Sequence, residues 1–453
     1  MTTRRFVIPQ ANYDAHNVES QLNQLNAEFA RDPNDRNARR RLVRVQISRG
    51  AVADALSHLA AELADAEGEA WLQREVWSSM ESGDLGSASI LATALSRSRW
   101  ATRWYPPASD RYTRLPIRRQ PRRLTTSKVL HDMEQLEYLL VRGLVSDELA
   151  TVCAAYRQVG ERLAGHPSDD HGLIEDDMEA QQLIGDVYNG LIHVRDTAVP
   201  DRLLGDSWDA RWVEDSYLAE QPGVVVIDEF LSDAALIELQ RFCVESTIWS
   251  TNRYESGRLG SFFIDGFNSD LLVRLDEEIR ASFPRLIGNL YPLNQLWAMK
   301  SGKGITTRST IHADFAAVNV NLWITPDDAN LNPQTGGLIV YDKDAPLSWP
   351  FSVYNDCADR IVPFLKRHGA VGRHIPYRCN RAIVFNSDLF HNTDPVEFDD
   401  SYESRRINIT FLYGRREQDV HHPRLVFEDA TLEAPLSRTM PRRSAAFRSA
   451  RRR

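Results

Sequence analysis

The chain has 453 residues, 42% of them hydrophobic and 26% charged, the balance of a soluble globular protein long enough for two or three domains. Its net charge of −9 argues against a generic nucleic-acid binder, although arginines crowd residues 97–123 and recur at Arg448, Arg451, Arg452 and Arg453. The four cysteines, Cys153, Cys243, Cys357 and Cys379, show no CxxC spacing; this excludes a disulfide framework or zinc knuckle and predicts a cytoplasmic location.

The opening residues, Met1 to Asp14, hold no apolar run, so no signal peptide is expected. No later stretch approaches the roughly 18 apolar residues of a membrane span, and no membrane partner is expected. Residues from about Asn17 to Leu95 read as helices, with Leu42, Val45, Ile47 and then Ala55, Leu56, Leu59 at helical spacing. Ser48-Arg49-Gly50-Ala51 is echoed by Glu81-Ser82-Gly83-Asp84, thirty-three residues on. That offset resembles tetratricopeptide repeats, which implies a groove for a peptide or protein partner. A plain helical bundle is the alternative. Residues 101–125 are read as a basic connecting arm in solvent, and 126–220 as a second helical region.

Character changes at Pro222-Gly223. Val224–Ile227 is a β-branched run, and Asp233–Cys243 a helix with Ser232 as its N-cap. Strands are then expected at Gln295–Met299, Thr310–Asp314, Val318–Thr325, Leu338–Tyr341, Ala382–Asn386 and Arg406–Tyr413. Short strands between Gly, Pro and Asn turns predict a sandwich or barrel within 221–430, followed by a basic tail at 431–453.

The chemistry centres on Thr310-Ile311-His312-Ala313-Asp314. Residues two apart on a strand share a face, so His312 and Asp314 would aim at one point. A lone HxD means little among twelve histidines. With His391, seventy-seven residues beyond Asp314, it makes two imidazoles and a carboxylate. Such a facial triad leaves open metal positions and points to non-haem Fe(II) rather than zinc or calcium. No glycine-rich phosphate loop or nucleophile elbow is present. His421-His422 would point to opposite faces of a strand and is read as surface loop.

His312-x-Asp314, His391 and then Arg406-Ile407-Asn408-Ile409-Thr410-Phe411, in this order, resemble the Fe(II)- and 2-oxoglutarate-dependent oxygenases. The likeness is greatest to prolyl-4-hydroxylase-like and phytanoyl-CoA-hydroxylase-like members, and it covers about 222–416. It implies an α+β chain of several domains, in which a helical, repeat-like region at 1–100 precedes a double-stranded β-helix of jelly-roll or cupin type. It implies Fe(II), 2-oxoglutarate and dioxygen, with ascorbate as a stimulant, and a basic residue gripping the distal carboxylate of 2-oxoglutarate. Strand parity selects Arg406 over Arg405. Ile407, Ile409, Phe411 and Tyr413 form one apolar face, while Arg406, Asn408 and Thr410 form the other. The same alternation puts Asn319, Asn321 and Trp323 opposite Val318, Val320 and Leu322. Arg406, Asn408 and Asn321 are therefore assigned to the co-substrate, and Asn319, Trp323 and Trp297 to a substrate pocket. Two features depart from the family pattern: prolyl hydroxylases usually carry Lys at the position of Arg406, and the phytanoyl-type Pro-Gly-Ser-His turn is absent. The activity implied is hydroxylation of a C–H bond on a peptide or protein side chain. The alternatives are a free amino acid or small metabolite as substrate, or a non-catalytic repeat scaffold. Because Asp314 keeps a carboxylate where related halogenases have none, hydroxylation is expected over halogenation.

Overall fold

The computed structural model describes residues 15–105, 115–117, 122–164, 173–219, 222–252, 257–301 and 310–422. The chain starts with five helices, α1 (Ala15–Arg31), α2 (Arg36–Ser48), α3 (Val52–Glu62), α4 (Ala66–Glu81) and α5 (Leu85–Trp100). Asp35, Asp65 and Asp84 cap α2, α4 and α5 by accepting from free N-terminal amides. The echo in the sequence marks two like turns. Gly50 and Gly83 both take positive φ, +73° and +80°. Each N–H bonds three residues back, to Ile47 O and Met80 O, both at 2.9 Å. The two turns join α2 to α3 and α4 to α5.

These helices do not stand apart from the sheet. Helix α5 buries Leu85, Ala88, Leu91, Ala92, Ala94 and Leu95, and its serines at 87, 89, 96 and 98 are buried too. Small residues all round let it run through the interior rather than along one face. One hydrophobic core continues from Val43 through Leu95 to Leu271, Phe283 and Phe411. A second core belongs to α6 (Thr126–Val141), α7 (Leu149–Leu163) and α8 (Met178–Ile184), around Val129, Leu136, Tyr156 and Ile184. Arg122, in the stretch read as a solvated arm, is instead buried and donates to Gly185 O and Tyr188 O at 2.9 and 2.6 Å. Residues 106–114 and 118–121 of that arm and the tail at 431–453 lie outside the described residues.

After α9 (Ala210–Ala219) come β1 (Val224–Ile227), α10 (Asp233–Glu245), β2 (Leu259–Phe262), α11 (Asp270–Ser282), β3 (Leu293–Lys300) and β4 (Val318–Trp323). Then follow β5 (Leu338–Asp344), α12 (Phe351–Tyr354), α13 (Ala358–Arg367), β6 (Gly372–Ile375), β7 (Ala382–Asn386), β8 (Leu389–Thr393) and β9 (Ile407–Tyr413). Ser232 caps α10, accepting from Ala235 N at 3.3 Å. The strands form a six-stranded antiparallel sheet, β1-β7-β4-β9-β3-β2, and a three-stranded sheet, β6-β5-β8.

The large sheet has two chemically distinct faces. Val318, Val320, Leu322, Ile407, Ile409, Phe411 and Tyr413 join the core shared with the helices. The other face turns to the small sheet, where Trp323, Ile383 and Phe385 pack with Leu338, Val340, Ile375, Tyr377 and Leu389. Asn321 sits opposite Thr410, and Trp323 opposite Asn408, so the polar alternation falls on this inner face.

Three sequence readings change. Residues 310–314 form no strand; His312 alone makes a β-bridge, to His391. His391, expected just after the Ala382–Asn386 strand, lies in the middle of a further strand, β8. β2, β6 and β8 were not anticipated, because four- and five-residue segments such as Gly372–Ile375 carry too few apolar positions to show a period.

Candidate metal centre and anion pocket

His312, Asp314 and His391 each place one ligand atom within 4.8 Å of the others, a cluster that could hold a metal ion. The backbone sets it up. His312 and His391 exchange both main-chain hydrogen bonds, at 3.0 and 2.7 Å, so the bridge holds their imidazoles side by side with centroids 4.5 Å apart. Asp314 N donates to Ser387 O at 3.1 Å, which turns the carboxylate back towards them. Asp314 Oδ2 lies 3.5 Å from His391 Nε2. The convergence expected from strand parity therefore occurs, but one bridge and one loop hydrogen bond produce it.

Both rings are held in one tautomer. His312 Nδ1 donates to Thr310 O at 2.7 Å and His391 Nδ1 to Leu389 O at 2.9 Å, the carbonyl two residues earlier in each case. Each Nε2 is then left with a lone pair facing the cluster. Asn319 Nδ2 donates to Asp314 Oδ2 at 2.9 Å. Burial, helped by the neighbouring His391, pushes the His312 imidazole below its usual range, which keeps it neutral. Burial also acts to raise Asp314, but the neighbouring His391 and His312, with the Asn319 amide, bring it below the ordinary carboxylate value. Two imidazoles and an ionised carboxylate, with no fourth protein donor in the cluster among the described residues, fit an octahedral cation that keeps positions open.

The second feature is Arg406, 3% exposed on the inner face just ahead of β9. Its Nε donates to Gly336 O at 2.6 Å and its Nη1 to Asn408 Oδ1 at 2.9 Å. Trp323 and Tyr377 lie 5.7 and 5.9 Å from the guanidinium, and their own rings stack 5.3 Å apart. Among the described residues no carboxylate pairs with it. Burial draws its pKa down to about 10, opposed by Tyr377, while Arg258 adds like charge. Within the described residues the buried guanidinium is held by neutral groups, an arrangement that could take an anion.

A file of polar side chains joins the two features. Asn319 touches Asp314; two residues on, Asn321 Nδ2 donates to Thr410 Oγ1 at 3.0 Å; Thr410 also meets Asn408 at 3.5 Å, and Asn408 holds Arg406. Oδ1 of Asn319 and Oδ1 of Asn321 are buried without a partner among the described residues, on the face where a polar ligand would lie.

Trp323 is fully buried and serves as a platform for Arg406 rather than an exposed wall. Trp297 is half-buried on the same inner face of β3, with Phe262 at 5.8 Å. Sequence reasoning missed Tyr377, which carried no signal. It also missed the carbonyl of Gly336, whose φ of +81° favours glycine and turns that oxygen to Arg406. His421 and His422, read as surface loop, are half-buried and buried; their Nε2 groups donate to Leu286 O and Tyr217 O at 3.1 and 3.2 Å, away from the cluster.

No family model matches the chain, and no curated protein matches it. Solved structures do show likeness. The non-heme alpha-ketoglutarate-dependent carbocyclase SnoK from nogalamycin biosynthesis is 12% identical, with a TM-score of 0.34 over 46% of this chain and 87% of that one. A Pseudomonas putida prolyl-4-hydroxylase is 15% identical, with a TM-score of 0.31 over 46% and 99%. EctD from S. alaskensis is 17% identical, with a TM-score of 0.34 over 51% and 89%.

Proposed function

We propose that the protein is an Fe(II)- and 2-oxoglutarate-dependent oxygenase that hydroxylates an unactivated C–H bond. The observation that carries this reading is a His-Asp-His cluster joined, by the file of polar side chains on the inner face, to a buried arginine that has no acidic partner among the described residues. His312, Asp314 and His391 would hold the metal. Fe(II) bound there supplies the oxidising chemistry with dioxygen and 2-oxoglutarate, leaving succinate and carbon dioxide. Arg406 would bind the distal carboxylate, with Asn408 and the Gly336 carbonyl fixing the guanidinium plane. Asn321 would contact the body of the co-substrate through its unpartnered Oδ1. The inner-face aromatics around Trp297, with Asn319, would border the substrate, and the small sheet would exclude water.

A peptide or protein side chain is the substrate class we favour, with the α2–α5 hairpins as the surface that recruits it; the alternative is a free amino acid or small metabolite. The fold of residues 222–416 is read as a double-stranded β-helix. The test incubates the protein with Fe(II), 2-oxoglutarate, ascorbate and labelled dioxygen against fractionated peptide and metabolite pools. Succinate formation with a labelled +16 Da product supports the reading, and the fraction yielding it decides the class. A halogenated product in the presence of chloride would show that Asp314 is not a ligand. Tight zinc with a fourth protein ligand would overturn the proposal.

A further inference from the structure

Arg405 and Arg406 are adjacent, identical in chemistry and equally buried, at 3% exposure each. They do opposite things. Arg406 enters the inner face. Arg405 points outward to α6, where Nη2 pairs with Glu134. Among the described residues Glu134 is its one acidic partner, and Arg405 Nε and Nη1 have no hydrogen bond.

The surroundings make this pair more than a surface contact. On the same helix, Gln135 Nε2 donates to Val244 O and Ser246 O at 3.1 and 2.9 Å, tying α6 to the end of α10. His131 Nε2 lies 3.3 Å from the Nζ of Lys300, the residue that pairs with Ile407 across β3 and β9. Lys300 Nζ also meets Tyr402 OH at 3.1 Å, and Tyr402 donates to Val244 O at 2.7 Å. Helix α6 therefore grips the entry to β9 from outside the sheet. The backbone between is fixed as well. Thr325 Oγ1 donates to Arg405 O and accepts from Ile407 N, each at 2.9 Å, while Ser301 N donates to Arg406 O at 2.9 Å.

We infer that Glu134 is a positioning residue for Arg406, acting through Arg405. On a strand, a one-residue slip exchanges the two faces, and here it would put one arginine where the other stood. Residue type alone cannot tell the two apart; the carboxylate on α6 can. Without Glu134 the Arg405 guanidinium would be buried beside Lys300 and His131 with nothing to balance it. It would be relieved only by moving the segment that aims Arg406. This inference rests on the proposed role of Arg406 as the 2-oxoglutarate anchor.

The test is anaerobic titration of the Fe(II)-loaded full-length protein with 2-oxoglutarate, followed by calorimetry, with metal affinity and melting temperature measured alongside. Glu134→Gln should weaken 2-oxoglutarate by about tenfold, equivalent to ~1.4 kcal/mol, with metal affinity within about twofold of the parent. Glu134→Asp and Arg405→Lys keep the charges and should lose roughly threefold. The exchanged pair Glu134→Arg/Arg405→Glu should recover most of the affinity. A lower melting temperature with unchanged 2-oxoglutarate binding would show the pair to be structural only and overturn the inference. Should Glu134→Gln not fold, Glu134→Asp and Arg405→Lys decide it, and parental affinity in both counts against it. If the parent protein binds no 2-oxoglutarate, the functional reading itself falls. If the parent binds and Arg406→Ala does not while Glu134→Gln does, this inference alone fails.

Discussion

Asn319 Nδ2 donates to Oδ2 of Asp314, the same oxygen that faces His391 Nε2, and both residues are buried. The amide thus fixes the carboxylate from behind. Asn319→Ala should weaken metal binding by about 10–100-fold while leaving the fold intact. Competition with a chelator measures it; unchanged affinity would mean that the Ser387 contact orients Asp314 alone.

Removing a ligand should do more. His312→Ala or His391→Ala is expected to give protein with no tightly bound metal and no succinate production. Metal analysis after dialysis checks it, with circular dichroism to verify the fold.

Arg406→Ala should raise the 2-oxoglutarate requirement far more than Arg405→Ala. Losing a charge-assisted pair with a buried carboxylate costs about 2–5 kcal/mol. Arg406→Lys should fall between, because an ammonium cannot reproduce the bonds to Gly336 O and Asn408 together. Steady-state KM for 2-oxoglutarate separates the three.

Asp276, on α11, is 1% exposed and its carboxyl is pushed up to about 7 by burial, opposed by Arg280. The folded form then holds a proton that the unfolded chain has released above 3.8. Its contribution to stability is full at low pH and is lost as pH rises towards 7. Asp276→Asn should flatten that pH dependence and raise the melting temperature at pH 8 by roughly 3 °C. Thermal melts across pH 4–8 would show it, and a parallel profile in the variant would refute it.

The core shared by α5 and the large sheet changes what truncation should do. On the sequence, residues before Arg97 read as a recruiting module separate from the chemistry. In the structure Leu91 and Leu95 belong to the same core as Phe411. A chain beginning at Thr126 should expose that core and fail to melt cooperatively, and Leu95→Ala in the full chain should cost about 2–5 kcal/mol. A soluble, cooperatively folding truncation would show the helices to be dispensable.

How much was legible followed physical rules. The alternation along Val318–Trp323 and Ile407–Tyr413 gave two-faced strands, because one side meets helices and the other a polar interior. Ser232 before Asp233 gave a helix start, because a free hydroxyl satisfies an amide there. What stayed hidden depends on contacts far apart in the chain. The His312–His391 bridge joins a segment read as a strand, which forms none, to a strand too short to show a period, and Tyr377 meets Arg406 only through folding. The burial of Arg122 and of α5 was likewise invisible, since arginine and serine patterns read as solvated until their carbonyl partners are known.

The tautomer lock on the two imidazoles has a consequence for which metal the cluster would take up. With both Nδ1–H groups held by backbone carbonyls and Asp314 held by Asn319, the donors stand ready before any ion arrives. A rigid nitrogen-and-oxygen set does not discriminate by adjusting itself. It follows the intrinsic order of divalent affinities, in which nickel, copper and zinc outrank ferrous iron. Occupancy would then be set by what the surroundings supply. Protein isolated from metal-rich medium would carry a competitor and look inert, and activity would return on stripping the site and refilling it with ferrous iron under reducing conditions.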